Sequence, residues 1–245
     1  MPISLKNIIA ASLFLILLLN AVVLDISCQT ISELINKYNA SNGFDKLPKI
    51  KTVCIHGENL LKFDRELKFK YTAIIKVPNK LFTRSKVFGH TTISGFDGIK
   101  EWSDFATHDT IYKNIDLIQD RLEAGMYNLS SFYDQHLIKS CSIDTFHKKQ
   151  YYKLIIETPD QFTLICYLDT GKFFLEDIQF PLIDPKSGDL YVNEILFSDY
   201  KKKRGISIAF KKEHFLNGKL TRTEIRKRIT LNRRVKDKIF LDPSH

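Results

Sequence analysis

From Leu67 to Val77 the chain alternates without a break: Leu67, Phe69, Tyr71, Ala73, Ile75 and Val77 share one face, and Lys68, Lys70, Thr72, Ile74 and Lys76 the other. A period of two marks a half-buried strand, apolar toward a core and polar toward water. Val77-Pro78-Asn79-Lys80 interrupts it, because proline lacks the amide hydrogen that a central ladder needs. Two more extended runs follow, Leu81–Phe88 and Thr91–Phe96, closing on Asp97-Gly98, a pair suited to the positive φ of a tight turn. The stretch predicts an antiparallel meander ending near Trp102, the single tryptophan.

Ahead of it, Ile31, Leu34, Ile35 and Tyr38 recur at helical spacing, with Thr30 or Ser32 to cap the start and Asn42-Gly43 to stop the helix. Lys49–His56 reads as a first strand, and Gly57–Arg65 as a hydrophilic turn. After Trp102 the period changes. Ile111, Ile115, Ile118 and Leu122 form one helical stripe; Gly125 breaks it, and Leu129, Phe132, Tyr133, His136 and Leu137 form a second. Strands then return about every ten residues: Gln150–Glu157, Phe162–Leu168, Lys172–Phe180, Tyr191–Tyr200, Ile206–Phe215 and Lys219–Leu231. Pro181–Asp189 reads as a loop, Asn217-Gly218 as a hairpin, and the tail 235–243 packs through Ile239, Phe240 and Leu241. A long antiparallel sheet curls to reduce its exposed edges. The expected architecture is mainly β (α+β): an incomplete antiparallel β-barrel, or half-barrel, with helices covering its concave face.

The first residues stand apart. Lys6 is followed by an apolar run from Ile8 to Leu24, broken by Ser12 and Asn20, and then by Ser27 and Cys28. This is the layout of an export signal, with an uncleaved membrane anchor as the lesser alternative. It divides the chain into residues 1–28, a signal, and 29–245, one domain. Cys28 directly after the apolar run fits the lipidated cysteine of a lipoprotein signal, although Asp25 stands where leucine is usual; cleavage after Cys28 is the competing reading. The three remaining cysteines, Cys54, Cys141 and Cys166, are odd in number, so the domain is not expected to depend on disulfides.

Four pieces together resemble the LolA/LolB superfamily of lipoprotein carriers and receptors. They are the opening SELINKYNASNGFDKLPKIKTVCIHG, the K-x-P-N-K at Lys76–Lys80, the F-D-G-x-x-x-W at Phe96–Trp102, and the closing FSDYKKKRGISIAF and TLNRRVKDKIFLDP segments. The resemblance spans essentially the whole chain after the signal. It implies a half-barrel with helices over its mouth, a cavity for acyl chains, no enzymatic activity, a periplasmic or outer-membrane-attached location, and a lipid or acylated lipoprotein as partner. One position departs from it: Val77 stands where LolA carries an arginine that helps to hold its lid.

Candidate cavity residues are the inward positions Phe69, Tyr71, Ile75, Leu154, Ile156, Phe162, Leu164 and Phe197. The plainer alternative is that they fill a closed core, leaving a structural or interaction module, or an envelope stress sensor. GxSxG, HExxH and phosphate-cradling glycine motifs are absent, and the seven histidines lack ligand spacing, so we expect no catalysis, metal or cofactor. Residues 200–240 hold fifteen Lys or Arg against three acidic residues. Alternation puts Arg222, Glu224, Arg226 and Arg228 on one face and Ile225, Ile229 and Leu231 on the other. That face is either a solvated exterior or a basic stripe that meets anionic lipid headgroups through Arg222, Arg226 and Arg228. Export argues against a nucleic-acid partner, and the domain is expected to be a monomer.

Overall fold

The computed structural model describes residues 30–62, 65–104, 110–146, 148–158 and 161–241; the signal segment and Cys28 lie outside them. One twelve-stranded antiparallel sheet dominates. Its strands are β1 (Thr52–Lys62), β2 (Glu66–Lys76), β3 (Lys80–Val87), β4 (His90–Phe96), β5 (Glu101–Ser103), β6 (Ile138–Phe146), β7 (Lys149–Glu157), β8 (Thr163–Asp169), β9 (Leu175–Ile183), β10 (Leu190–Lys203), β11 (Ile206–Leu216) and β12 (Lys219–Leu231). The order is β5-β4-β3-β2-β1-β12-β11-β10-β9-β8-β7-β6, so β1 and β12 pair at the centre while β5 and β6 remain open edges. Sequential hairpins build each half, the first and last strands pair, and the long connection from edge strand β5 to edge strand β6 carries the midchain helices. This is the expected incomplete barrel.

Helices α1 (Ile31–Asn42), α2 (Thr110–Ala124) and α3 (Ser130–Asp134) pack on the concave side. Thr30 and Glu33 form the capping box of α1, each side chain accepting from the other's backbone amide at 3.2 Å. Leu34, Ile35 and Tyr38 are at most 2% exposed, and the Tyr38 hydroxyl donates to the Tyr127 carbonyl at 2.6 Å. Gly43 ends the helix at φ +71, and a Cβ there would lie 2.0 Å from the Gly205 carbonyl oxygen, so side-chain-free backbone is required twice over. Turns at Arg204-Gly205 and Asn217-Gly218 take positive φ at both residues, as two-residue hairpins demand.

Three expected boundaries move. The region 57–62 is not a turn but the second half of β1. Gly57 sits mid-strand because the Tyr71 ring lies over it: a Cβ would be 2.5 Å from Tyr71 Cε1. Pro181 lies within β9, opposite Val192, at a point where the pairing of β9 to β8 has already ended at Gln179, so the missing amide costs no ladder bond. The second helical stripe shortens to the five residues of α3, after which the chain enters β6 at Ile138. In the tail, Phe240 is fully buried and its carbonyl accepts from Trp102 Nε1 at 2.9 Å, while Leu241 remains 52% exposed.

Candidate functional site

The concave side is filled on one half and hollow on the other. Toward β6–β9 it is dry core: Leu154, Ile156, Leu164, Cys166, Ile178 and Phe180 are at most 1% exposed. Toward β2–β5, Ala73, Thr83, Ser85, Ser94 and Ser103 line the space beneath α2 with small side chains, and a cavity of about 630 Å³ remains. The room follows from the register. Ala73 pairs with Thr83, Thr83 with Ser94 and Ser94 with Ser103, so one row across four strands lacks a bulky residue. Phe69, Tyr71 and Leu81 supply apolar wall, and α2 supplies Tyr112, Lys113, Asp116, Gln119, Asp120 and Glu123.

A buried ion network separates the two halves. Glu123 of α2 receives Arg226 at 2.7 and 2.9 Å and Lys212 Nζ at 2.6 Å. Glu224 receives Arg226 Nε at 2.9 Å and Lys212 Nζ at 2.6 Å, and accepts the Tyr71 hydroxyl at 2.6 Å. Tyr127 donates to Glu123 at 3.0 Å. The four charged residues are 4–9% exposed. Burial opposes ionisation of both carboxyls, but Arg226 and Lys212 outweigh it and hold Glu123 and Glu224 below the usual range. A two-to-two cluster in which each charge meets both opposite charges satisfies the condition under which buried ions are tolerated. Beside it, Arg222 donates to Gln119 at 2.8 Å and to His214 at 3.1 Å. Burial and the adjacent Arg222 and Lys212 charges push the His214 pKa well down, keeping the imidazole neutral.

A β-bulge brings this network inward. His56 pairs with Arg228 but Gly57 pairs with Arg226, so Lys227 is the extra residue on β12. Strict alternation is broken there. Arg222, Glu224 and Arg226 face the interior, and so do Ile229 and Leu231 beyond the bulge, whereas Lys227 and Arg228 are exposed. The expectation of one face carrying Arg222, Arg226 and Arg228 is corrected: Arg228 alone of the three faces solvent, and Arg226, 6% exposed, presents no charge to a surface.

The eight cavity positions also divide. Phe69 and Tyr71 line the large cavity. Ile75 and Phe197 border a small one of about 40 Å³ on the other side of Glu123 and Tyr127. Leu154, Ile156 and Leu164 are fully buried in the filled half, and Phe162 packs partly buried against it. Val77 lies elsewhere, lining with Pro78, Phe44, Leu47, Ile50 and Met126 an open groove of about 1020 Å³ beside α1. Cys54 and Cys166 are buried free thiols, and Cys141 is half-buried. Among the described residues, no group of three His, Cys, Asp or Glu is placed to hold a metal ion.

Sequence reasoning missed the polar half of the cavity. Burial and the charges of Glu101 and Asp116 push Asp120 up to about 8, with Arg222 opposing. Asp116 is raised by burial, and Glu101 by burial and by Asp116. Asn59 Oδ1, Glu101 Oε2 and Arg222 Nε are buried without hydrogen-bond partners. The signal was present as Asp116, Gln119, Asp120 and Glu123 at helical spacing, a pattern identical to a solvated face.

Several solved structures resemble this fold, an antiparallel sheet centred on a first-to-last strand pair and covered by midchain helices. A LolA superfamily protein from Nitrosomonas europaea superposes with a TM-score of 0.52 over 89% of this chain and all of its own, at 12% identity. The fold is LolA-like. A provisionally assigned outer membrane lipoprotein-sorting protein domain from Vibrio parahaemolyticus gives a TM-score of 0.48 at 9% identity, covering 82% of this chain and 95% of its own. A DUF1329 family protein from Desulfovibrio piger gives 0.47 at 8% identity, over 85% and 97%. No family model and no curated protein matches the sequence. The LolA-like likeness therefore rests on the path of the chain, and its cavity must be read from its own residues.

Proposed function

We propose that this protein is an exported, non-enzymatic carrier or receptor of the bacterial cell envelope that holds one amphipathic lipid or acylated ligand beneath α2. The observation that carries this reading is the 630 Å³ cavity, which falls in the size range of single small-molecule sites and joins an apolar wall of Phe69, Tyr71 and Leu81 to a polar roof on α2. A fully apolar pocket would favour bare acyl chains; this one favours a molecule with a polar end. Of the charged groups lining the cavity, Glu123, Lys212 and Glu224 are held in ion pairs with one another and with Arg226, while Glu101, Asp116 and Asp120 lie outside that network. The LolA-like fold supports the carrier reading only at the level of architecture, and residues 1–28 would supply the export signal.

Native mass spectrometry of protein released by mild extraction tests the reading. A copurifying lipid-sized mass, lost when Ser94→Phe fills the row of small residues, is the expected outcome. A ligand-free protein that also fails to take up the neutral probe N-phenylnaphthylamine would remove it.

A further inference from the structure

The cavity's unmatched polar atoms are unequal in kind. Asn59, 9% exposed, lines the cavity with its Oδ1 unpartnered, and Glu101 Oε2 is a second buried acceptor without a donor. Both lie in a cavity that also carries Asp116 and Asp120, and against these two unmatched acceptors Arg222 Nε is the unmatched donor among the described lining residues. Of the cations near these groups, Arg222 is engaged by Gln119 and His214, and Lys212 is held by Glu123 and Glu224. Lys113 lines the cavity from the same helix and, like Asp116, is exposed; its charge and that of Arg121 oppose the rise of Glu101 without cancelling it. A buried acceptor without a donor loses its hydration with nothing in return, and crowded carboxylates add repulsion. A ligand that brings both a positive charge and N–H donors relieves both.

Building on the carrier reading, we propose that the cavity selects an amphipathic ligand with a primary ammonium group, docked among Glu101, Asp116 and Asp120, with Asn59 Oδ1 as a further acceptor for its polar end. The apolar remainder lies along Phe69, Tyr71 and Leu81. Binding releases protons. Asp120 faces Glu101 from β5, Asp116 and Glu123 from its own helix and Arg222 from β12, and this setting keeps it largely protonated at pH 7. An arriving ammonium favours the carboxylate, so affinity rises with pH until the ligand itself loses its charge.

Matched dodecylamine, dodecanol and dodecanoate, each below its micellar concentration, test the proposal by calorimetry. Dodecylamine should bind at least about tenfold more tightly than the other two, a margin of about 1.4 kcal/mol. Its heat should vary with buffer ionisation enthalpy at pH 7, as proton release requires. The triple variant Glu101→Gln, Asp116→Asn, Asp120→Asn should lose the preference while keeping dodecanol binding; Asp120→Asn alone serves if the triple variant fails to fold, and should reduce the proton release. Dodecanoate binding as tightly as dodecylamine, or a preference that survives the substitutions, overturns the ammonium proposal and leaves the carrier reading standing. Failure of all three amphiphiles to bind overturns both.

Discussion

Arg226→Met is the sharpest perturbation of the structure. Arg226 is 6% exposed and bonds to Glu123 at 2.7 and 2.9 Å and to Glu224 at 2.9 Å. Methionine keeps most of the volume but leaves two buried carboxylates sharing Lys212 alone. Removing one partner of a buried pair costs about 3–5 kcal/mol, because the partner charge stays uncompensated. Domains of this size lose about 2–4 °C of Tm per kcal/mol, so the expected drop is roughly 6–20 °C. Urea unfolding followed by tryptophan fluorescence and circular dichroism reads the change directly. Arg228→Met, one turn of the strand pattern away but exposed, should stay within about 0.5 kcal/mol. The sign of the pH effect also follows. Glu123 and Glu224 are held below their unfolded values, so their contribution is present above about pH 4.5 and is lost as pH falls through the depressed folded values. The Arg226→Met deficit should therefore shrink in acid. A loss under about 1 kcal/mol at pH 7, or one equal to that of Arg228→Met, would refute the network as the tie between α2 and the sheet.

Gly57→Ala should destabilise by about 1–3 kcal/mol in urea denaturation, because its Cβ would lie 2.6 Å from the Ile225 carbonyl oxygen as well as against Tyr71. A neutral effect would mean that the Tyr71 ring does not rest on Gly57. Asp177, 2% exposed with Oδ1 unpartnered, is pushed up to about 8 by burial and by Glu194. Its folded value exceeds its unfolded one, so its effect on stability worsens as pH rises from about 4 to about 8. Asp177→Asn should then stabilise by about 1–3 kcal/mol at pH 7, with the gain vanishing below about pH 4; a gain independent of pH would contradict this. Thr30→Ala removes the capping box of α1 and should cost about 1 kcal/mol by thermal melting, more than Ser131→Ala on the short α3.

The half-barrel was legible because its signals are local. The alternation of β2, the Gly43 stop, the Asn217-Gly218 hairpin and the stripe through Ile115, Ile118 and Leu122 each depend on a few neighbouring residues. What escaped depends on partners distant in sequence. The β12 bulge at Lys227 exists because β1 brings Gly57 opposite Arg226, and nothing near residue 227 announces it. Without the bulge, Arg222, Glu224 and Arg226 read as an outer face; with it they become a buried network reaching across to Glu123. Small residues spoke no more clearly. Ala73, Thr83, Ser94 and Ser103 read as ordinary strand positions until register aligns them into one hollow row. Leu154, Ile156 and Leu164 were grouped with Phe69 and Tyr71 because inward alternation is common to filled and hollow halves alike.

A carrier needs the space beneath α2 to admit one guest. Fluorescence titration of the intact domain with N-phenylnaphthylamine, compared with Ala73→Phe and Ser94→Phe, measures this most directly. We predict saturable uptake of one probe per chain, reduced at least about tenfold by either substitution because each fills the small-residue row of a site in the single-ligand size range. Absence of saturable uptake, or uptake unchanged in both variants, would contradict it.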